Sequence, residues 1–174
     1  MSRYICIIGD SYCDCRDNEE NHWPAYLSNK LNLKLTGSAF PGQSWWRHRE
    51  AIIKYKNTDK FADTEYFVFA HTDFRRVLTA NNYFENVHND EVSSIREVWF
   101  KYMQDDNISH WITHNWYKEL NTIMEGKKVI HLQGFETTIL DANLLTGPKL
   151  DIPLIGISNS EPGYNINRSE EHTS

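Results

Sequence analysis

Gly9-Asp10-Ser11 closes an apolar, β-branched run at the start of the chain, Tyr4-Ile5-Cys6-Ile7-Ile8. It puts a serine hydroxyl where acyl-transfer chemistry needs one. A hydroxyl is a weak nucleophile, so cleavage by serine requires an exposed Ser, a base to take its proton and donors for the oxyanion. A serine directly behind a strand, in the turn toward a helix, is exposed and lies among uncommitted backbone N–H groups. Asp10 beside it can fix such a turn by hydrogen bonding. The same residues also serve turns for purely local reasons, so the tripeptide gains meaning only from what the fold brings near it. His71-Thr72-Asp73 ends a second apolar run, Tyr66-Phe67-Val68-Phe69-Ala70. His71 is there either a structural histidine or a group able to stand near Ser11. Trp45, Trp46, Arg47, His48 and Arg49 follow a Gly/Pro loop, and Arg75-Arg76 follow the run that ends at Ala70. Aromatic and guanidinium groups so placed suit stacking on a sugar or clamping an anion, with Trp45 and Arg75, alongside Asp10 and His71, the expected substrate contacts. The ordinary alternative has Trp45 or Trp46 anchoring its helix to the sheet and the arginines solvated.

The elements that must position these residues follow from hydrophobic periodicity. Residues 4–8, 66–70 and 128–132 read as buried parallel strands, and 33–36 as a short strand that runs into the Gly/Pro loop 37–42. Residues 152–157 make a fifth strand, interrupted in pattern by Pro153 and Gly156. Trp23-Pro24 opens a helix over about 23–31, with proline in the first turn where its missing N–H is harmless. Further helices are expected over 45–55, 95–103 and 111–124. Strands alternating with helices predict an α/β, flavodoxin-like three-layer sandwich with a parallel sheet of about five strands, in which sites lie beyond the carboxyl ends of the strands. The polar, partly aromatic stretch 81–107 exceeds a usual strand-to-helix loop and reads as a lid or as a plain surface excursion.

Composition bounds the rest. A chain of 174 residues with 40% hydrophobic content builds one core. A formal net charge of −6 supplies no broad basic surface, which argues against nucleic acid as partner. The apolar start is too short for a signal peptide or a membrane span, so a cytoplasmic or virion-associated protein is expected. Cys6, Cys13 and Cys15 are odd in number and lack zinc-finger spacing, while His110 and His114 stand one helical turn apart without a third ligand. No metal and no cofactor is expected; oligomeric state is not legible.

Taken together, the blocks resemble the SGNH or GDSL hydrolase family. Ile7-Ile8-Gly9-Asp10-Ser11-Tyr12 is similar to that family's first block, which implies Ser11 as nucleophile. Phe40-Pro41-Gly42-Gln43-Ser44 is similar to the second, which implies Gly42 N–H as an oxyanion donor. Ala70-His71-Thr72-Asp73 keeps part of the third block, Gly-x-Asn-Asp; depending on register, Thr72 or Asp73 takes the place of the family's oxyanion-binding asparagine. A threonine hydroxyl can still donate, whereas an ionised aspartate would repel the oxyanion. The resemblance spans residues 4 to about 157 and implies a small-molecule or carbohydrate ester as substrate.

The family's C-terminal Asp-x-x-His, source of the base, has no counterpart here. Arg168-Ser-Glu-Glu-His-Thr-Ser174 resembles a translated short-read sequencing adapter, so the expected domain is 1–167, incomplete at its end, with 168–174 a non-native tail to be left out of fold reasoning and His172 given no role. Two functions compete. One is a serine-dependent esterase or carbohydrate deacetylase, inactive as the chain stands for want of its base. The other is a noncatalytic binding or virion-associated module on the same fold.

Overall fold

The computed structural model describes residues 3–13, 22–39, 44–72, 98, 102, 105–134, 140–141 and 143–150, with the side chains of Ser11 and Ser38 outside that set. Five parallel strands form one sheet in the order β2-β1-β3-β4-β5: β1 Tyr4–Gly9, β2 Lys34–Ala39, β3 Thr64–His71, β4 Val129–Gln133 and β5 Lys149–Leu150. The helices are α1 Trp23–Lys30, α2 Trp45–Lys56, the short α3 Lys60–Asp63 and α4 Asp106–Ile123. This is the expected α/β architecture.

Side chains alternate across the sheet, and both faces are covered. Cys6 and Ile8 of β1, Phe67 and Phe69 of β3 and Val129 of β4 pack with Ile52 of α2 and with Trp116, Tyr117 and Leu120 of α4. On the opposite face Ile5, Ile7, Val68, Ala70 and Leu132 pack with Trp23 and Leu27 of α1. Burial on both sides explains why these strands read as continuous apolar runs.

Local chemistry sets the helix ends. α1 stops where Asn32 takes φ 53°, a left-handed conformation that asparagine tolerates, and Leu33 N–H returns to Ser28 C=O at 2.9 Å. α4 begins at Asp106, earlier than the apolar periodicity from residue 111 suggests. The Asp105 carboxylate caps it, accepting from Asn107 N–H at 2.7 Å and Ile108 N–H at 3.2 Å. β2 also differs from expectation, since it runs through Gly37 instead of ending there. Gly37 sits opposite Ile7 with φ 130°, and a Cβ at that position would stand 1.9 Å from the Ile7 carbonyl oxygen. The glycine therefore permits a close strand approach, where the sequence suggested a terminator. The expected strand 152–157 and the tail 168–174 lie outside the described residues, as do the expected helix 95–103 apart from Val98 and Tyr102 and the stretch 81–107 apart from Val98, Tyr102 and 105–107. Among the described residues, no helix is long and apolar enough to cross a membrane.

Candidate functional site

In the strand order β2-β1-β3-β4-β5, progression reverses between β1 and β3. That reversal is the topological switch point, where open parallel sheets leave a crevice beyond the strand ends. Ile8 and Phe69 are paired there, so Ser11 and Thr72 each follow a paired residue by three positions on adjacent strands.

The backbone of Ser11 opens a 3-10 turn, Ser11–Cys13, closed by Cys13 N–H donating to Asp10 C=O at 2.9 Å. Asp10 is 1% exposed, and its Oδ1 accepts from Tyr12 N–H at 3.1 Å, the turn-fixing role its position suggests. The indole of Trp23 donates to Tyr12 C=O at 2.7 Å and ties the start of α1 to the same turn. Gly9 is required by packing. A Cβ there would lie 2.4 Å from Cys13 Sγ and 3.0 Å from Ala70 Cβ, so the turn folds tightly over the β1 and β3 ends. Burial pushes the Cys6 thiol up to about 12, which keeps it a protonated core side chain.

At the end of β3, His71 and Thr72 are buried, and the Thr72 Oγ1 has no hydrogen-bond partner. An orphan hydroxyl in a buried position is uncommon and calls for an explanation. His71 is tied to β4. Its Nε2 lies 2.8 Å from Nδ1 of His131 on β4, the neighbour on the other side, and the two rings stack with centroids 5.1 Å apart. Tyr117 of α4 meets the His71 ring edge-on at 4.9 Å. His131 Nε2 in turn lies 3.0 Å from the Thr146 carbonyl.

This chain of contacts fixes the tautomers. A carbonyl only accepts, so His131 carries its proton on Nε2; as a neutral ring it then offers Nδ1 as acceptor, and His71 must donate from Nε2. Burial is the main cause holding both rings neutral. It pushes His71 well below the ordinary histidine value, helped by the fields of His131 and His48, and lowers His131 to about 4. The Thr146 hydrogen bond opposes that shift at His131, and Lys149 adds to it. Tyr117, which meets His71 edge-on, is pushed up by burial and by the Asp141 charge and stays protonated.

A stability prediction follows. Unfolded histidine takes up a proton below about pH 6.5, and folded His131 does so only near 4. Stability is therefore full above about 6.5 and falls as pH drops toward 4. From His131 alone the loss by pH 5 is about 2 kcal/mol, with His71 adding in the same direction. Urea unfolding at pH 7.5, 6 and 5 checks this; a flat profile would mean that neither ring is held neutral.

Four other expected residues fall as follows. Trp45 opens α2, is partly buried against the core and meets Trp46 edge-on at 5.5 Å, so it contributes to anchoring the helix. Gly42, Asp73 and Arg75 lie outside the described residues. The neighbouring arginines are engaged: Arg49 reaches Glu119 of α4 with two bonds of 2.6 Å and lies over the Trp46 ring, and Arg47 pairs with Glu50 at 2.5 Å. Ser44, which precedes α2, and His48, one turn into it, are buried polar residues on the helix that follows the Gly42 loop. The sequence offered no sign of their burial, since His48 stands among charged residues. Among the described residues no group of three or more His, Cys, Asp or Glu side chains is placed to hold a metal ion.

No protein-family model matches the chain, and no curated protein matches it. Among solved structures, a protein of Slackia heliotrinireducens described as a candidate SGNH hydrolase is similar over 75% of this chain and 55% of its own length, with 11% sequence identity and a TM-score of 0.38. The chain thus spans about half the length of that protein.

Proposed function

We propose that the protein is a serine-dependent ester hydrolase of the SGNH type, acting on a small-molecule or carbohydrate ester with Ser11 as nucleophile. The observation that carries the reading is the adjacency, at the switch point of the sheet, of the Ser11 turn and the buried, unpartnered Thr72 hydroxyl. In the proposed reaction Ser11 Oγ attacks the ester carbonyl, its proton passes to a base, and the alcohol departs to leave an acyl-serine that water hydrolyses. The Ser11 and Gly42 N–H groups and the Thr72 hydroxyl are the proposed oxyanion donors. His71 is not assigned as the base, because its outer nitrogen donates to His131 on the side away from β1. The base is assigned to sequence beyond Asn167 in the uninterrupted reading frame, on the family pattern of an Asp-x-x-His.

The test compares hydrolysis of p-nitrophenyl acetate by this chain and by the product of the uninterrupted frame. The chain as it stands should fall short by roughly four to six orders of magnitude, the scale of loss when a triad member is missing. Equal, negligible turnover by both would favour a noncatalytic binding module.

A further inference from the structure

A string of polar side chains runs from α4 to the end of β3, outside the proposed chemistry. Asn121 of α4 grips the turn before β5. Its Oδ1 accepts from Thr146 N–H at 3.1 Å and from Thr146 Oγ1 at 3.0 Å, and its Nδ2 donates to Leu144 C=O. The Thr146 carbonyl held in this way accepts from His131 Nε2, and His131 Nδ1 accepts from His71 Nε2. Both ring protons point toward Thr146, so the string has one direction and no interchangeable link. His71 is gripped a second time through its backbone. Its carbonyl accepts from Gly134 N–H at 2.9 Å, and a Cβ at 134 would lie 2.4 Å from that oxygen. The residue bonded next in the chain is Thr72, whose buried hydroxyl has no partner.

We propose that the His71–His131–Thr146 relay is a positioning device, which holds the end of β3 so that the Thr72 hydroxyl keeps one place at the carboxyl edge of the sheet. The inference rests on the ester-hydrolase reading for what Thr72 does, and on the hydrogen bonds alone for how Thr72 is held. His71 and His131 are positioning residues in this scheme, acting through the backbone of β3. A side chain placed on a rigid strand end and locked by a second set of hydrogen bonds is how a reacting geometry is kept within a fraction of an ångström.

Two substitutions separate positioning from bulk packing. His131→Asn keeps an acceptor near the Nδ1 position, whereas His131→Leu fills the space without one. In the full chain, the Thr72 amide and methyl resonances should shift in His131→Leu and stay near their original values in His131→Asn, with the remaining spectrum kept in both. In the uninterrupted-frame product, His131→Leu should lower kcat tenfold to a hundredfold with KM little changed, the scale expected for a misplacement near 1 Å, and His131→Asn should recover most of it. Unmoved Thr72 resonances in a folded His131→Leu variant would overturn the proposal. Should that variant fail to fold, the ring ¹⁵N shifts of the unsubstituted chain decide. Both rings protonated on Nε2 alone at pH 7 is the expected result, and a proton on His131 Nδ1 overturns the relay. If the unsubstituted product lacks ester turnover, the hydrolase reading fails while the resonance measurements still decide the positioning claim.

Discussion

Ser11→Ala should lower p-nitrophenyl acetate turnover by the uninterrupted-frame product by up to roughly six orders of magnitude, leaving the roughly 10³–10⁴-fold acceleration over water that oxyanion donors and binding alone provide. On the proposal that the base lies outside this chain, the same substitution should change the present chain little, since a serine hydroxyl unassisted by a base stays protonated at neutral pH. The contrast between the two backgrounds is the informative part. A structural serine would affect both alike, and the turn that carries Ser11 is held by the Asp10 carboxylate, the Cys13 N–H and the Trp23 indole. The expected fold therefore survives the substitution, which a circular dichroism melt verifies. Robust, Ser11-dependent turnover by the present chain would instead require a base within it.

Gly37→Ala should be the most damaging single-methyl substitution on stability. Glycine at 37 has φ 130°, which side-chain-bearing residues rarely adopt, and the added Cβ would stand 1.9 Å from Ile7 O and 2.7 Å from Ile7 N. The obstruction is backbone of the central β1, so no rotamer change relieves it, and β2 must separate from β1. A cost on the order of 3 kcal/mol or more is expected from the conformational and overlap contributions together. Gly126→Ala is the control: it also has positive φ, 75°, but nothing lies within 4 Å of its Cβ. Only the conformational part remains there, about 1 kcal/mol. Urea unfolding of the two variants separates them, and equal losses would contradict the close approach of β2 to β1. Since β2 leads into the Gly42 loop, Gly37→Ala should also weaken any activity out of proportion to the fraction unfolded.

The parts of this fold that were legible in the sequence are local. β1 and β3 announce themselves as apolar runs ended by polar turns, and Pro24 marks the start of α1. From those runs the parallel sheet follows, and with it the carboxyl edge that carries Ser11 and Thr72. What was not legible depends on register. His71 and His131 are 60 positions apart, and only the pairing of β3 with β4 reveals that they face each other. Read singly, His131 is one residue of an apolar strand and His71 a histidine at a strand end that could stand near Ser11; read together, each supplies what the other needs. Asn121 is equally silent, since an asparagine in a helix usually faces solvent, and its grip on Thr146 requires the turn before β5 to return beneath α4. Gly37 misled for the opposite reason. Glycine ends strands and permits close strand contacts by the same freedom, and the choice between the two is made by Ile7 across the sheet.

The central claim, that Ser11 is a nucleophile, is tested most directly by covalent capture. An alkyl phosphonofluoridate reacts when a serine oxygen forms a bond to phosphorus and fluoride leaves, so the adduct marks the attacking atom. Trypsin releases Ser11 in the peptide Tyr4–Arg16, where it is the only serine. Treatment of the uninterrupted-frame product should give one phosphonyl adduct, located by fragmentation on Ser11 and accompanied by loss of ester turnover. An adduct on another residue, or turnover lost while Ser11 remains unmodified, would contradict the account.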